Sequence, residues 1–364
     1  MGHTSRGATI KISLYLVVLL SILYVNVPLG RASRKTFAWT TIRYKTNAAS
    51  LPQARGVCPG LTDTTKPALV VARVEADGDP TWLDSLAQSY HHCIYQADGS
   101  RDYLQVPANR GHEAMAYLTF LIDNYHHIPS AGAVFVHGSR FSWHNDHRDY
   151  DNQALLSMLN VSSALSATGY HNLRCDWSVS TCSKNGSPPP GSMETRMRGT
   201  LEPWNARVAS DRALPLALRL LFGGNNIASL QKDGTQLRLG RHDVLRSQCC
   251  AQFVVSRERI WQHSQEEYAA LRQWLLDDDV APRDDRVAGR ILSYMWHILF
   301  LPHSGEGIDL EALNILACPS ADECYCRLYG RCGLKGCSTP GRCQGQYRLP
   351  PKLTLPVDWA STHS

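Results

Sequence analysis

The composition is that of an ordinary globular protein and argues against nucleic acid as a partner. The chain has 364 residues, of which 43% are hydrophobic and 19% charged, and its formal net charge is only +5. It contains no block of Lys and Arg of the kind that follows a phosphate backbone. The length suffices for one large domain or two modest ones.

The N-terminus predicts a membrane segment. Residues 12–29 carry no charge and are just long enough to cross a bilayer as a helix. A signal peptide cleaved near Gly30–Ser33 would have an unusually long apolar core, so we expect an uncleaved signal anchor over residues 1–30. Cleavage, and with it secretion, is the alternative. A polar stem without clear periodicity follows over residues 31–67.

Two sequons and the cysteine content favour a lumenal location for the rest of the chain. Asn160 and Asn185 each begin an Asn-X-Ser sequence, which is glycosylated only in the secretory pathway. Twelve Cys residues also fit an oxidising compartment. We therefore expect a single-pass type II protein of the ER or Golgi, whose N-terminal helix has the membrane as its partner.

Residues 68–317 alternate strand and helix patterns. The β-branched run Ala68–Val74 predicts a buried first strand, and Cys93–Tyr95 belongs to a second. Gly111–His127 carries its apolar side chains on one helical face, and Ala133–Val136 predicts a strand that is covered on both faces. This order predicts an α/β domain with a mostly parallel central sheet flanked by helices.

The C-terminal segment, residues 318–364, is rich in Cys. Its six Cys residues are spaced at intervals of 6, 2, 6, 5 and 6, which lack the paired Cys-X-X-Cys of zinc sites. Disulfides are therefore expected here. Six Cys allow about 15 connectivities, so the sequence leaves the pairing open.

A loop dense in His and Asp follows the strand at Ala133–Val136. A divalent ion that bridges a diphosphate needs one or two carboxylates and free positions for phosphate oxygens. The predicted metal ligands, for Mn or Mg, are His137, Asp146, Asp149 and, from a later apolar helix, His297. The alternative is a solvated loop in which an Asp caps the next helix, with His297 as a core residue.

Two further groups of residues are candidates for chemistry. Glu258, at the start of a helix after a buried strand, is the predicted base that removes a proton from an acceptor hydroxyl, and Arg257 the residue that stabilises a leaving diphosphate. The alternative for Glu258 is a simple partner of the helix dipole. The predicted substrate-binding residues lie at a helix start and in the His/Asp loop: Asn109, Arg110, Glu113, Trp143 and His144.

Several sequence blocks resemble a fungal family known as domain of unknown function 3431. The blocks are Val70–Arg73, Trp82–Leu83, Asn109–Tyr125, Phe135–Asp146, Gly169–Cys175, Cys249–Ile260, Trp296–Phe300 and Cys324–Cys326. They run in the family's order from about Ala68 to Cys332. The resemblance implies no particular activity. A more distant similarity of layout, to nucleotide-sugar glycosyltransferases of the GT-A type, implies a Rossmann-like sheet and a nucleotide sugar as the partner.

Two functions from different classes follow. The first is a glycosyltransferase-like enzyme that uses a nucleotide sugar, and the second is a non-catalytic protein that binds a glycan or a protein through the same loop. A metal-dependent hydrolase is a third hypothesis. The enzyme hypothesis requires His137, Asp146, Glu258 and His297 to meet in one cleft, and is to be dropped if they scatter.

Overall fold

The chain divides into two compact units, Met1–Lys35 and Thr36–Ser364. The computed structural model describes residues 4–26, 36–44, 56–99, 102–183, 187–224, 236–303, 305 and 307–347. Within the first unit, helix α1 spans Thr4–Asn26. No helix among the described residues combines the length and the apolar character that a bilayer crossing requires. The predicted membrane segment at 12–29 extends beyond the described residues and is not confirmed, so the anchor stays a prediction.

The second unit is built on a six-stranded sheet with the order β3-β2-β1-β4-β6-β5. The strands are β1 (Ala68–Arg73), β2 (His91–Gln96), β3 (Leu104–Gln105), β4 (Ala133–His137), β5 (Tyr170–Asn172) and β6 (Phe253–Val255). The predicted strands β1 and β4 lie side by side at its centre, and every residue of β1 is buried. Their continuous apolar runs suit strands that are covered on both faces.

The sheet is mixed, and the prediction of a mostly parallel sheet is wrong. Strands β1, β2, β3 and β4 pair in parallel. Strand β6 runs antiparallel to β4, with Val255 opposite Ala133, and β5 pairs antiparallel to β6. A short apolar run such as Phe253–Val255 looks the same in both directions, because its burial carries no information about which way the strand runs.

Helices cover both faces of the sheet. They are α2 (Glu113–Asp123), α3 (Asn152–Ser157), α4 (Val161–Leu165), α5 (Met193–Leu201), α6 (Ala206–Gly223), α7 (Arg257–Ile260), α8 (Gln265–Leu276), α9 (Asp285–Ser293), α10 (Trp296–Phe300), α11 (Leu310–Ala317) and α12 (Ala321–Tyr329). Successive side chains of β1 point to opposite faces, so Val70 joins one apolar core and Val71 the other. The larger core contains the predicted apolar face of α2.

Parts of the predicted stem and of the Cys-rich segment pack into these cores. Phe37 and Trp39 are buried in the larger core, and the Phe37 N–H donates to the Ile308 carbonyl at 2.9 Å. In the smaller core, Tyr325 and Leu328 of α12 lie against the sheet. The predicted domain boundaries stay a prediction.

The predicted disulfides are confirmed. All twelve Cys residues are among the described residues and form six pairs: Cys58–Cys93, Cys175–Cys324, Cys182–Cys318, Cys249–Cys250, Cys326–Cys332 and Cys337–Cys343. Two of them tie the C-terminal segment to the segment that follows β5. Of the two sequon residues, Asn160 is exposed and its side chain caps α4 by accepting from the Ser163 N–H at 3.0 Å, while Asn185 lies outside the described residues. Glycosylation of both stays a prediction.

Candidate functional site

The strand order creates a crevice at one edge of the sheet. From β1 the chain moves to β2 on one side, whereas β4 pairs with the other side of β1. In an open α/β sheet, ligands bind outside the carboxyl ends of the strands at such a switch point. Arg73 ends β1 and His137 ends β4, so these two residues mark the place where the fold itself predicts a site.

A cavity of about 660 Å³ lies at this switch point. This volume falls within the range of about 300–1,000 Å³ that is usual for small-molecule sites. Its walls come from the loops after β1 and β4, the start of α2, the segment before β6, and helices α6 and α9. We call it the switch-point pocket.

Two glycines let the walls of the pocket approach one another. A Cβ on Gly138, directly after β4, would lie 2.3 Å from the Cβ of Arg73. A Cβ on Gly289 would lie 2.8 Å from the Gly111 carbonyl oxygen, so glycine lets α9 pack against the backbone just before α2. The close approach at Gly289 brings Arg290 and Ser293 to the pocket.

Three arginines of the pocket bond only to neutral groups among the residues that the structure describes. Arg73 donates to the Gln96 side chain at 3.0 Å and to the Gly78 carbonyl at 2.8 Å. Arg207 donates to the Ser187 hydroxyl at 2.9 Å, and Arg290 to the Tyr294 hydroxyl at 3.1 Å. The Nε of Arg290 is buried without a hydrogen-bond partner there. Among the described residues no direct ion pair neutralises these charges, although Asp211 lies near enough to Arg207 and Arg290 for both arginines to act on its pKa. Arginines of this kind suit an anionic ligand.

His137 connects three walls of the pocket. Its Nε2 donates to the Cys250 carbonyl at 2.7 Å, and its Nδ1 lies 4.0 Å from the nearer Glu113 carboxylate oxygen. Its ring stacks on that of His144, with 4.6 Å between the ring centroids. A carbonyl oxygen can only accept, so Nε2 carries a proton in this arrangement.

The ring of His144 lies against those of His137 and Trp143. Burial lowers its pKa to about 2, with further contributions from His137, Arg174 and His112. Its Nδ1 lies 2.7 Å from the Ser142 hydroxyl. A neutral imidazole offers the ligand a hydrogen bond without a charge.

Most of the predicted substrate-binding residues are brought together. Asn109, Glu113, Trp143 and His144 line the switch-point pocket, as does the predicted metal ligand His137. Trp143 lies partly in solvent, with 49% of its surface exposed, and its ring is 3.9 Å from that of His144. The fifth predicted residue, Arg110, turns away and binds Asp285 and the Pro282 carbonyl.

Asp146 serves as a structural anchor in the smaller core. Its carboxylate accepts from the backbone N–H groups of Cys175 and Asp176, at 2.7 and 3.1 Å. It also accepts from the hydroxyls of Tyr325 and Tyr347, at 2.9 and 2.6 Å. Four donors therefore occupy the oxygens that were predicted to bind a metal.

The remaining predicted ligands do not join His137. The backbone N–H of Asp149 donates to Nδ1 of His147 at 3.3 Å, within its own loop. His297 is buried in α10, where the described residues leave both of its ring nitrogens without a partner. None of the four predicted ligands belongs to a described group of three metal-binding side chains with ligand atoms within 4.8 Å. The residues present do not fit a divalent cation in this combination.

Glu258 and Arg257 lie at the other edge of the sheet. Because β6 is antiparallel to β4, its carboxyl end at Val255 is level with Ala133, the amino end of β4. The side chain of Glu258 is 66% exposed there, and Arg257 packs on the ring of Trp261. Neither residue lines the switch-point pocket. The four residues that the enzyme hypothesis requires in one cleft, His137, Asp146, Glu258 and His297, therefore lie in different parts of the fold.

Comparison with known protein families assigns the chain to one of them. The model of a family described as "Protein of unknown function (DUF3431)" matches residues 69–327. The chain belongs to this family. The DUF3431 match begins in β1 and ends in α12, so it includes the sheet and every loop that lines the switch-point pocket. No curated protein and no solved structure matches the chain.

Sequence reasoning missed several residues of this DUF3431 pocket. Arg73 had a signal, because it ends the first buried strand, where sites form in α/β sheets. Arg207 and Arg290 had none, since they come from helices far apart in sequence that meet only in the folded chain. Cys249 and Cys250 line the pocket because β6 enters the sheet from this edge.

Proposed function

We propose that the protein binds a nucleotide sugar in the switch-point pocket. The observation that carries the proposal is the convergence of Arg73, Arg207 and Arg290 on one pocket while each of them bonds to neutral groups. A diphosphate carries the charge and the oxygen acceptors that match such arginines. Its position outside the carboxyl ends of β1 and β4 is the usual place for a nucleotide in an open α/β sheet.

The remaining walls suit the sugar. Trp143 offers a half-exposed aromatic face at the pocket, and His144 and Ser142 offer neutral hydrogen-bonding groups beside it. Large flat side chains with a polar neighbour fit a ring that has apolar faces and a polar edge. A volume of about 660 Å³ leaves room for both parts of the ligand.

The likeness to GT-A glycosyltransferases belongs to the proposal only in part. It is supported by a first half in which strands β1, β2 and β4 are parallel and by a pocket that the loop after β4 helps to line. Sugar transfer is not proposed, because His137, Asp146, Glu258 and His297 do not share a cleft. A lumenal location is retained, supported by six disulfides, which persist in oxidising compartments.

Calorimetric titration with a panel of nucleotide sugars tests the proposal. We expect saturable binding of at least one donor, weaker binding of the free sugar, and loss of binding in Arg290→Gln. Arg327→Gln is the matched control, because Arg327 pairs with Glu323 on α12 and does not line the pocket. Titrations with and without Mn²⁺ test the predicted cation. If the folded protein binds no nucleotide sugar, the proposal is wrong. Release of free nucleotide in the same samples would support the enzyme hypothesis.

A further inference from the structure

The Cys249–Cys250 disulfide differs from the other five in what it can do for stability. Three of the others join segments that are 35, 136 and 149 residues apart, and two close loops of 6. A disulfide between sequence neighbours closes almost no loop. Since cross-links restrict the unfolded chain more as the loop grows, this one contributes the least to holding the fold. A role other than fold stability is required to explain it.

Its location supplies that role. Both Cys249 and Cys250 line the switch-point pocket and are only partly buried. By contrast, Cys58–Cys93 and Cys175–Cys324 consist of buried residues. A small molecule that enters the pocket therefore meets the neighbouring pair, whereas the long-range pairs Cys58–Cys93 and Cys175–Cys324 are buried away from it.

The backbone at this pair is held in an unusual conformation. Cys250 has a φ of 88° and the next residue, Ala251, a φ of 47°. Residues with side chains rarely adopt such angles, and the surrounding structure must hold them there. The eight-membered ring of a neighbouring disulfide is one such restraint. The same segment presents the Cys250 carbonyl to Nε2 of His137.

The rest of the segment is anchored independently. Gln252 is buried, and its side chain donates to Asn145 at 3.0 Å and accepts from Asn152 at 3.3 Å. Phe253 then begins β6. A change at Cys250 is consequently confined to the pocket wall, because the strand that follows is fixed by its own bonds.

We propose that Cys249–Cys250 is a redox modification site in the wall of the switch-point pocket, reduced by dithiols, and that the oxidised form is the one that binds ligand. The statement about ligand rests on the proposed function, whereas the redox site itself does not. Reduction frees Cys250 to leave its positive φ, and its carbonyl then parts from His137. The pocket wall between β4 and β6 then loses the conformation that binds the ligand.

The chemistry is ordinary thiol–disulfide exchange. A thiolate of the dithiol attacks one sulfur, the bond between the two Cys sulfurs breaks, and a mixed disulfide forms while the second Cys leaves as a thiolate. The remaining thiol of the reductant attacks the mixed disulfide and departs as a cyclic disulfide. Two electrons pass to the pair, and two protons from the dithiol end on Cys249 and Cys250.

Graded reduction of the full chain with dithiothreitol tests the site without reference to a ligand. After alkylation, peptide mapping by mass spectrometry reports which pairs have opened. We expect Cys249 and Cys250 to be labelled while Cys58–Cys93 and Cys175–Cys324 stay closed. Oxidation of the reduced protein before alkylation should restore the Cys249–Cys250 disulfide. Opening only together with these buried pairs would overturn the proposal.

The imidazole NMR signal of His137 tests the link to the pocket. We expect it to shift on reduction, and to show the shifted position without reductant in a Cys249→Ser/Cys250→Ser variant. Cys326→Ser/Cys332→Ser is the matched control, because this pair also closes a short loop and lies outside the pocket. An unchanged His137 signal on reduction of the wild-type protein would refute the role of the pair in the wall.

Titration with inorganic pyrophosphate completes the test. We expect reduction to weaken its binding about tenfold, which corresponds to the loss of about 1.4 kcal/mol. If the oxidised protein binds neither pyrophosphate nor a nucleotide sugar, the proposed function fails, while mapping and NMR still decide the redox site. If binding is present and reduction leaves it unchanged, the redox control of the pocket fails alone.

Discussion

Nε2 of His137 lies 2.7 Å from the carbonyl oxygen of Cys250, and this bond joins the end of one central strand to the segment that leads into its neighbour. The contact exists because β6 is antiparallel to β4, which brings the residues before β6 to the carboxyl edge of the sheet. The same strand direction carries the residues after β6 to the opposite edge. One reversal in the sheet thus decides which sequence block lines the pocket.

Arg290→Gln should weaken binding of a nucleotide sugar by about 10- to 100-fold. The side chain lines the pocket with its Nε buried and unpartnered among the described residues, and a hydrogen bond to a charged group contributes about 1.5–3 kcal/mol. Calorimetry measures the change, with Arg327→Gln as the control outside the pocket. An affinity within twofold of wild type would place the anion elsewhere.

Glu258→Gln should leave the affinity for the same ligand within about twofold. Its side chain is mostly in solvent beyond the amino end of β4, and surface substitutions away from a site have small effects. Titration of this variant beside Arg290→Gln provides the comparison. A tenfold loss would bring α7 back into the site and revive the predicted role of Glu258.

The sequence predicts those parts of the fold that depend on local burial. The continuous apolar runs of β1 and β4 and the single apolar face of α2 identify three central elements, because their periodicity follows from which neighbours cover them. It also locates the pocket near the His/Asp loop, since a loop that follows a central strand lies at the edge where ligands bind. Trp143 and His144 line the pocket for this reason.

The roles of the polar residues depend on contacts that no local pattern contains. Asp146 looks like a metal ligand in sequence, yet its partners Tyr325 and Tyr347 are about 180 and 200 residues away. Arg73 and Arg290 line one pocket only because α9 packs across the start of α2. The sequence of Phe253–Val255 likewise does not indicate the direction of the strand. Glu258 was predicted in the site because β6 was taken to run parallel to β4.

Asp146→Asn should destabilise the protein by about 2–4 kcal/mol. An amide oxygen at the Oδ2 position keeps the bonds from Cys175, Asp176 and Tyr325 but without their charge assistance, whereas the NH₂ group replaces the oxygen that accepts from Tyr347. Urea unfolding measures the free energy. Asp149→Asn, in the same loop but only partly buried, is the control and should change it by less than about 0.5 kcal/mol. Equal stability of the two variants would show that the carboxylate is free for another role.

His297→Leu should make the protein less sensitive to acid. Burial lowers the pKa of His297 to about 3, so between about pH 6.5 and pH 3 the unfolded chain binds a proton that the folded chain does not. The protein therefore becomes less stable as the pH is lowered through this window. His297 accounts for about 2 kcal/mol of the loss between pH 7 and pH 5. Urea unfolding at both pH values should show the variant losing that much less than wild type, whereas His127→Gln, at an exposed position, should follow wild type. At pH 7 the variant should be at least as stable as wild type, because the described residues leave both ring nitrogens without partners. An unchanged pH dependence would mean that the imidazole is protonated in the folded chain.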